Sequence, residues 1–270
     1  MCWLNRYWTL YARLRRLTDS SLFWPGIYLA ALTIAELTTT LISPQIGMAL
    51  HGLILTGLML QAALAHDQSQ QAFRISLALA PLIRLISLSM PLASFPLIYW
   101  YAMVGIPLFL AVFLVVRLAR LPLHQLGLNT GRLPWQLLVG ASGFILGYIE
   151  YMILRPAPLV DSPRWEQFLL PALILLVFTG FLEEFIFRGV MQYTAVRSIG
   201  RYAILYISAI FAVLHIGYRS LWDFIFVFAV GVYFAWVTQK SGSILGVSLA
   251  HGLTNITLFL ILPLLSLGAA

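Results

Sequence analysis

Charge is what this sequence has least of. Only 9% of its 270 residues are Asp, Glu, Lys or Arg, where a soluble domain carries about a quarter. With 61% of residues hydrophobic, such a chain cannot cover itself with polar surface. A water-soluble fold is excluded, and lipid becomes the solvent. Lysine is nearly missing: Lys240 is the only one, so arginine carries the net charge of +7. Those arginines lie mostly between apolar runs, which marks them as topology signals and argues against a nucleic-acid partner. Cysteine occurs once, at Cys2, which excludes an internal disulfide and leaves the redox compartment open. Period-two alternation is missing as well. The apolar runs are continuous and longer than the roughly ten-residue segments of a transmembrane β-barrel. The first run, 22–43, lacks a small-x-small cleavage site and is expected to be a retained span.

What is present is a series of apolar helical runs. Candidate spans cover 22–43, 46–64, 75–91, 95–116, 135–155, 167–187, 202–217, 222–239 and 243–264. The third and seventh are short, so the expectation is an all-α polytopic transmembrane bundle of eight to nine spans. Placing the N-terminus in the cytoplasm puts Arg6, Arg13, Arg15, Arg16, Arg74, Arg117, Arg120, Arg132, Arg197, Arg201 and Lys240 inside. Only Arg155, Arg164 and Arg219 then fall outside, the bias that the positive-inside rule requires. Residues 1–20 mix arginines with Trp3, Tyr7, Trp8 and Tyr11, the composition of a basic helix lying at the interface. A disordered basic tail is the plainer alternative. Residues 21–134 form a four-span group ending in a Gly-, Pro- and Arg-rich cytoplasmic connector. Residues 135–270 form a C-terminal core.

Ionisable groups inside spans are costly and therefore functional suspects. Glu36, His51, Arg84, Glu150, Glu183, Glu184, Arg188, His215 and His251 qualify. Glu36 and Arg84 sit mid-span on different helices and could pair. His51 reads as a packing or hydrogen-bonding residue. Glu150 lies near a span end, where it could snorkel or pair with Arg155. The other five concentrate in the last 90 residues. Glu184 and Arg188 are spaced i, i+4, the separation at which a carboxylate and a guanidinium meet. An unpaired buried charge would be prohibitive, so this pair braces the helix and leaves Glu183, pointing about 100° away, free for chemistry. The alternative is a packing network of all three.

Depth weighs against the packing network, although a shared depth does not show that the faces converge. Gly200, in SIGR, is expected to cap a helix. Glu183 and His215 lie equally far from that turn, on the order of 20–25 Å at 1.5 Å per residue. His251 and Asn255, spaced i, i+4, lie roughly 14–20 Å beyond the turn at Gly242. Phe211 and His215 share a helix face. A carboxylate, two imidazoles and a carboxamide on three helices thus fall in one layer of the bilayer. No serine or cysteine has a matching spacing, so the set suggests water activation. A desolvated carboxylate is a better base, His215 would orient the water, and Asn255 with His251 would stabilise an oxyanion. Zinc held by Glu183, His215 and His251 is the other reading, because three ligands suit a catalytic site. No HExxH motif supports it.

The residues Glu183-Glu184-x-x-x-Arg188, Phe211-x-x-x-His215 and His251-x-x-x-Asn255 resemble the EExxxR, FxxxH and HxxxN motifs of one family. It is the type II CAAX prenyl endopeptidase and bacteriocin-processing (CPBP, or Abi) family of intramembrane proteases. The resemblance covers roughly 135–264. It implies an intramembrane glutamic endopeptidase in which Glu183 and His215 activate water. His251 and Asn255 would hold the oxyanion, and Glu184, Arg188 and Phe211 would support them. It also implies a hydrophobic or lipidated peptide substrate and no cofactor, with zinc the alternative. The expected location is a prokaryotic cell (inner) membrane, among its lipids. The competing functions are a non-catalytic immunity or assembly factor of the same fold and an ion- or proton-coupled transporter. A transporter would spread its polar groups through the membrane thickness, whereas these share one layer.

Overall fold

The computed structural model describes residues 22–90, 96–160, 162 and 164–268. The expected interfacial helix at 1–20 lies outside them. Every described element is helical, with no strand among the described residues. Among the described residues seven helices are long and apolar enough to cross a membrane: Pro44–Ala63, Gln68–Ser89, Leu97–Leu118, Leu133–Leu154, Trp165–Tyr218, Leu221–Ser241 and Leu245–Ser266. Two features separate that number from eight or nine. The 54-residue run Trp165–Tyr218 is one continuous helical stretch, although its chain turns back at Gly200. Helix Phe23–Leu41 is not among the seven, since Glu36 and four threonines dilute its hydropathy.

Local signals set the helix ends. Ser43 caps helix Pro44–Ala63 by accepting from the Ile46 amide at 3.4 Å, with Pro44 in the first turn where its missing N–H costs nothing. Asp67 and Ser220 cap Gln68–Leu77 and Leu221–Ser241 in the same way, at 2.9 and 3.2 Å. Both expected cytoplasmic turns are built on left-handed glycines. Gly200 has φ +60° and Gly242 φ +70°, values that other residues adopt only with strain. The turn at Gly200 sends the chain back antiparallel: Phe187 and Phe211, each twelve residues from Ile199, meet with ring centroids 4.9 Å apart.

One apolar core joins the two halves. Leu32, Leu58 and Leu79 from the first half pack in the same cluster as Ile186, Val190 and Ile210 from the second, all fully buried. The connector is pinned to the turn at 241–244. Gly127 O accepts from the Ile244 amide at 3.0 Å, and Asn129 exchanges bonds with Gly242 O and the Ser243 hydroxyl at 2.6 and 2.7 Å.

Two departures from regular geometry position the site. The helix from Trp165 to Ile199 carries two π-helical stretches, Leu175–Phe181 and Phe185–Met191, on either side of the α-helical turn Leu182–Glu184. π turns insert an extra residue per turn and occur frequently at functional sites. The same helix then approaches Leu245–Ile256 closely. A Cβ on Gly180 would come within 2.7 Å of both the Gly252 amide and the Ser248 carbonyl. Small residues that let backbones touch are the usual means of pairing helices in lipid. Gly180 and Gly252 together bring the two glutamates next to His251.

Candidate active site

Glu184 is fully buried and does more than brace Arg188. Its Oε1 lies 2.8 Å from Arg188 Nη1, as the i, i+4 spacing predicts, and 2.8 Å from His251 Nδ1 on another helix. Arg188 is also buried. It sits over the Phe211 ring at 4.3 Å and donates to Gly231 O at 3.4 Å. Phe211 therefore earns its place in its motif by supporting a guanidinium and by packing edge-on to His251, with centroids 5.9 Å apart.

Glu183 points elsewhere. Its side chain is 31% exposed, and its Oε2 stands 4.0 Å from His251 Nε2. That separation is too long for a hydrogen bond and suits a bridging water. Glu184 is acceptor-only when ionised, so the Nδ1 of His251 donates to it and Nε2 faces Glu183. His215 is fixed by its own helix. Its Nδ1 lies 2.7 Å from the Phe211 carbonyl, which can only accept, so Nδ1 carries the proton and Nε2 is left as an acceptor in the neutral ring. Asn255 donates through Nδ2 to Thr179 Oγ1 at 2.9 Å, and Thr179 donates in turn to the Leu175 carbonyl. The amide is thereby oriented with one N–H still uncommitted to Thr179.

Glu183, His215, His251 and Asn255 line one cavity of about 70 Å³, together with Phe211, Thr179, Tyr101, Tyr218 and Glu150. The four residues that their depths place in one layer thus line one cavity. Glu150 departs from expectation. It neither snorkels nor pairs with Arg155: it is buried and faces this cavity. The cause is the tight crossing of Leu133–Leu154 on Leu245–Ile256, where a Cβ on Gly147 would come within 2.6 Å of the Thr254 carbonyl. That approach turns Glu150 inward. Thr179 was not a candidate from sequence, and no local spacing points to it. Glu36 and Arg84 do pair, Oε1 to Nε at 2.6 Å, and His51 Nε2 joins the same oxygen at 3.2 Å. This second cluster lies in the other half of the molecule. Among the described residues no three His, Cys, Asp or Glu side chains are grouped as a metal ion requires. The zinc arrangement of Glu183, His215 and His251 does not fit this geometry.

With that geometry in place, comparison with known families is informative. Residues 165–257 match the family described as type II CAAX prenyl endopeptidase Rce1-like. No curated protein and no solved structure matches the chain. The matched segment contains Glu183, Glu184, Arg188, Phe211, His215, His251 and Asn255. It also contains Thr179 and both π-helical stretches. The cavity it builds is completed from outside, by Tyr101 on Leu97–Leu118 and Glu150 on Leu133–Leu154. The matched family is a protease family, which supports peptidase activity in a multi-helix membrane protein.

Proposed function

We propose that this protein is an intramembrane glutamic endopeptidase that hydrolyses a peptide bond of a hydrophobic or lipidated substrate. The observation that carries the proposal is the single cavity lined by a carboxylate, two imidazoles and a carboxamide. In this reading Glu183 takes a proton from a water held between its carboxylate and the His215 Nε2 acceptor. The water oxygen attacks the peptide carbonyl carbon, and the C=O pair moves onto oxygen. The free N–H of Asn255 and a protonated His251 Nε2 donate to that oxyanion. When the tetrahedral intermediate collapses, the C–N bond breaks and Glu183 returns its proton to the leaving amine. Glu184 holds His251 in the orientation and tautomer this requires. The balance closes with one water consumed and no metal.

The same reading sets the protein in a prokaryotic cell membrane, with its N-terminus cytoplasmic and eight or nine crossings, the run 165–218 supplying two of them. Lipids are its surroundings and peptides its partners. Proteomic comparison of membranes holding wild-type protein or Glu183→Gln, with and without chelator, tests the proposal. New peptide ends that depend on Glu183 and survive chelation are expected. Identical membrane proteomes would discard it.

A further inference from the structure

The two ends of the helical bundle differ, and the catalytic cavity belongs to one of them. The connector and the turns at Gly200 and Gly242 mark the first end. There Gly127 and Asn129 bond to residues 242–244, and Arg197 Nη2 donates to Gln125 Oε1 at 3.0 Å. At the opposite end Leu97–Leu118 begins, Leu133–Leu154 stops, and Arg219 Nη2 ties the turn 214–220 to the Thr40 carbonyl at 2.6 Å. His215 sits in that turn, just beyond helix Ala203–Val213, and Tyr218 of the same turn also lines the cavity. Tyr101 and Glu150 each lie four residues from that end of their helices, about 6 Å at 1.5 Å per residue. Phe259, in the cavity wall, accepts at its carbonyl from the Leu159 amide of the loop beyond Leu154, at 3.1 Å.

Among the described residues the cavity is closed toward the connector. The Arg188 guanidinium lies among the rings of Phe211, Phe234 and Phe187, at 4.3, 5.7 and 5.9 Å from their centroids, and all four side chains are buried. Phe211 and Phe234 form the cavity wall on that side. Beyond them a separate cavity of about 200 Å³ lies among Gln125, Gln192, Thr238 and Gly242. It stops at Arg188 and shares no lining residue with the catalytic one. Charge tells which end is which. Arg117, Arg120, Arg132, Arg197, Arg201 and Lys240 mark the connector end, against Arg155, Arg164 and Arg219 at the other, so the connector end faces the cytoplasm. We propose that the catalytic cavity is entered from the extracytoplasmic face, and that its substrates are hydrophobic segments of membrane or exported chains exposed on that side. Water reaches Glu183 and His215 by the same entrance, which spares it a path through the aromatic layer. This deepens the endopeptidase reading and rests on it only for naming a peptide as the occupant.

Thiol accessibility tests the entrance without turnover. Cys2 is the one cysteine of the chain, so Cys2→Ser gives a background into which single cysteines are placed. Gly217 is exposed on the turn beside His215, and a Cβ there meets nothing within 4 Å. Thr130 is exposed in the connector. In spheroplasts a membrane-impermeant sulfonated maleimide should label Gly217→Cys, and should label Thr130→Cys only after permeabilisation. Val227 lines the cavity itself. Val227→Cys should react with a quaternary-ammonium thiosulfonate in right-side-out vesicles and not in inside-out ones, since a fixed charge crosses the bilayer core only at high cost. Labelling of Thr130→Cys in place of Gly217→Cys from outside would reveal an inverted bundle and overturn the proposal. Reaction of Val227→Cys from the cytoplasmic side, or from neither side, would overturn it as well. The substrate side is read separately, from the peptide ends that depend on Glu183. Cuts in extracytoplasmic segments are expected, and cuts confined to cytoplasmic segments would discard the substrate assignment. Outer access without any hydrolysis would leave the entrance standing and remove the protease reading instead.

Discussion

Among the described residues two clusters combine the same three residue types, and only the second reaches the cavity shared by Glu183, His215, His251 and Asn255. In the first half, Glu36 Oε1 meets Arg84 Nε at 2.6 Å and His51 Nε2 at 3.2 Å. In the second, Glu184 Oε1 meets Arg188 Nη1 and His251 Nδ1, both at 2.8 Å. A single carboxylate oxygen thus ties a guanidinium to an imidazole in each. Two things differ: both contacts of Glu184 are hydrogen bonds, whereas those of Glu36 are charge contacts without hydrogen-bond geometry, and the other nitrogen of the histidine is placed differently. His51 is wholly enclosed and neither of its ring nitrogens has a hydrogen-bond partner among the described residues. His251 turns its Nε2 toward a second, partly exposed carboxylate, Glu183, across a cavity. The comparison teaches that a Glu–Arg–His grouping alone does not make a site. Reactivity is added by the extra acid and by room for water.

Substitutions can break or sharpen that contrast. The largest effect should be on turnover. Removing the oxyanion donor with Asn255→Leu, or the water-orienting ring with His215→Ala, should lower it by about 10²–10³. His51→Ala should leave it within a few-fold, as peptide hydrolysis in nanodiscs would report. Next comes stability. Arg188→Met leaves Glu184 buried without its guanidinium and with only the His251 bond, which should cost about 3–5 kcal/mol and show as a lower melting temperature in detergent. Glu36→Gln should cost less, about 1–3 kcal/mol, because the Arg84 it abandons keeps some exposure. The smallest effect should come from chelator. Incubation of the purified protein with EDTA should leave turnover unchanged, and loss restored by zinc would count against the site described.

Local rules made much of this legible in the sequence. Gly200 and Gly242 announced their turns, Glu184–Arg188 and Glu36–Arg84 were found as pairs, and equal residue counts from a turn placed Glu183 and His215 at one depth. Depth is set by 1.5 Å per residue and survives error. Facing is not. The bond from Glu184 to His251 spans 67 positions and that from Asn255 to Thr179 spans 76, so neither follows from any local spacing. Both depend on the Gly180–Gly252 contact and on π turns, which shift the register that a 100° rotation assumes. Glu150 was misread for a related reason. Its distance from the span end suggested water, while the glycine face of its own helix pressed it into the cavity.

The central claim is that two adjacent glutamates do different work, and one paired measurement tests it most directly. Turnover and melting temperature are recorded on the same preparations of wild type, Glu183→Gln and Glu184→Gln. The account predicts that Glu183→Gln melts like wild type and hydrolyses nothing, while Glu184→Gln melts lower. A folded Glu183→Gln protein that still cleaves near the wild-type rate would contradict it.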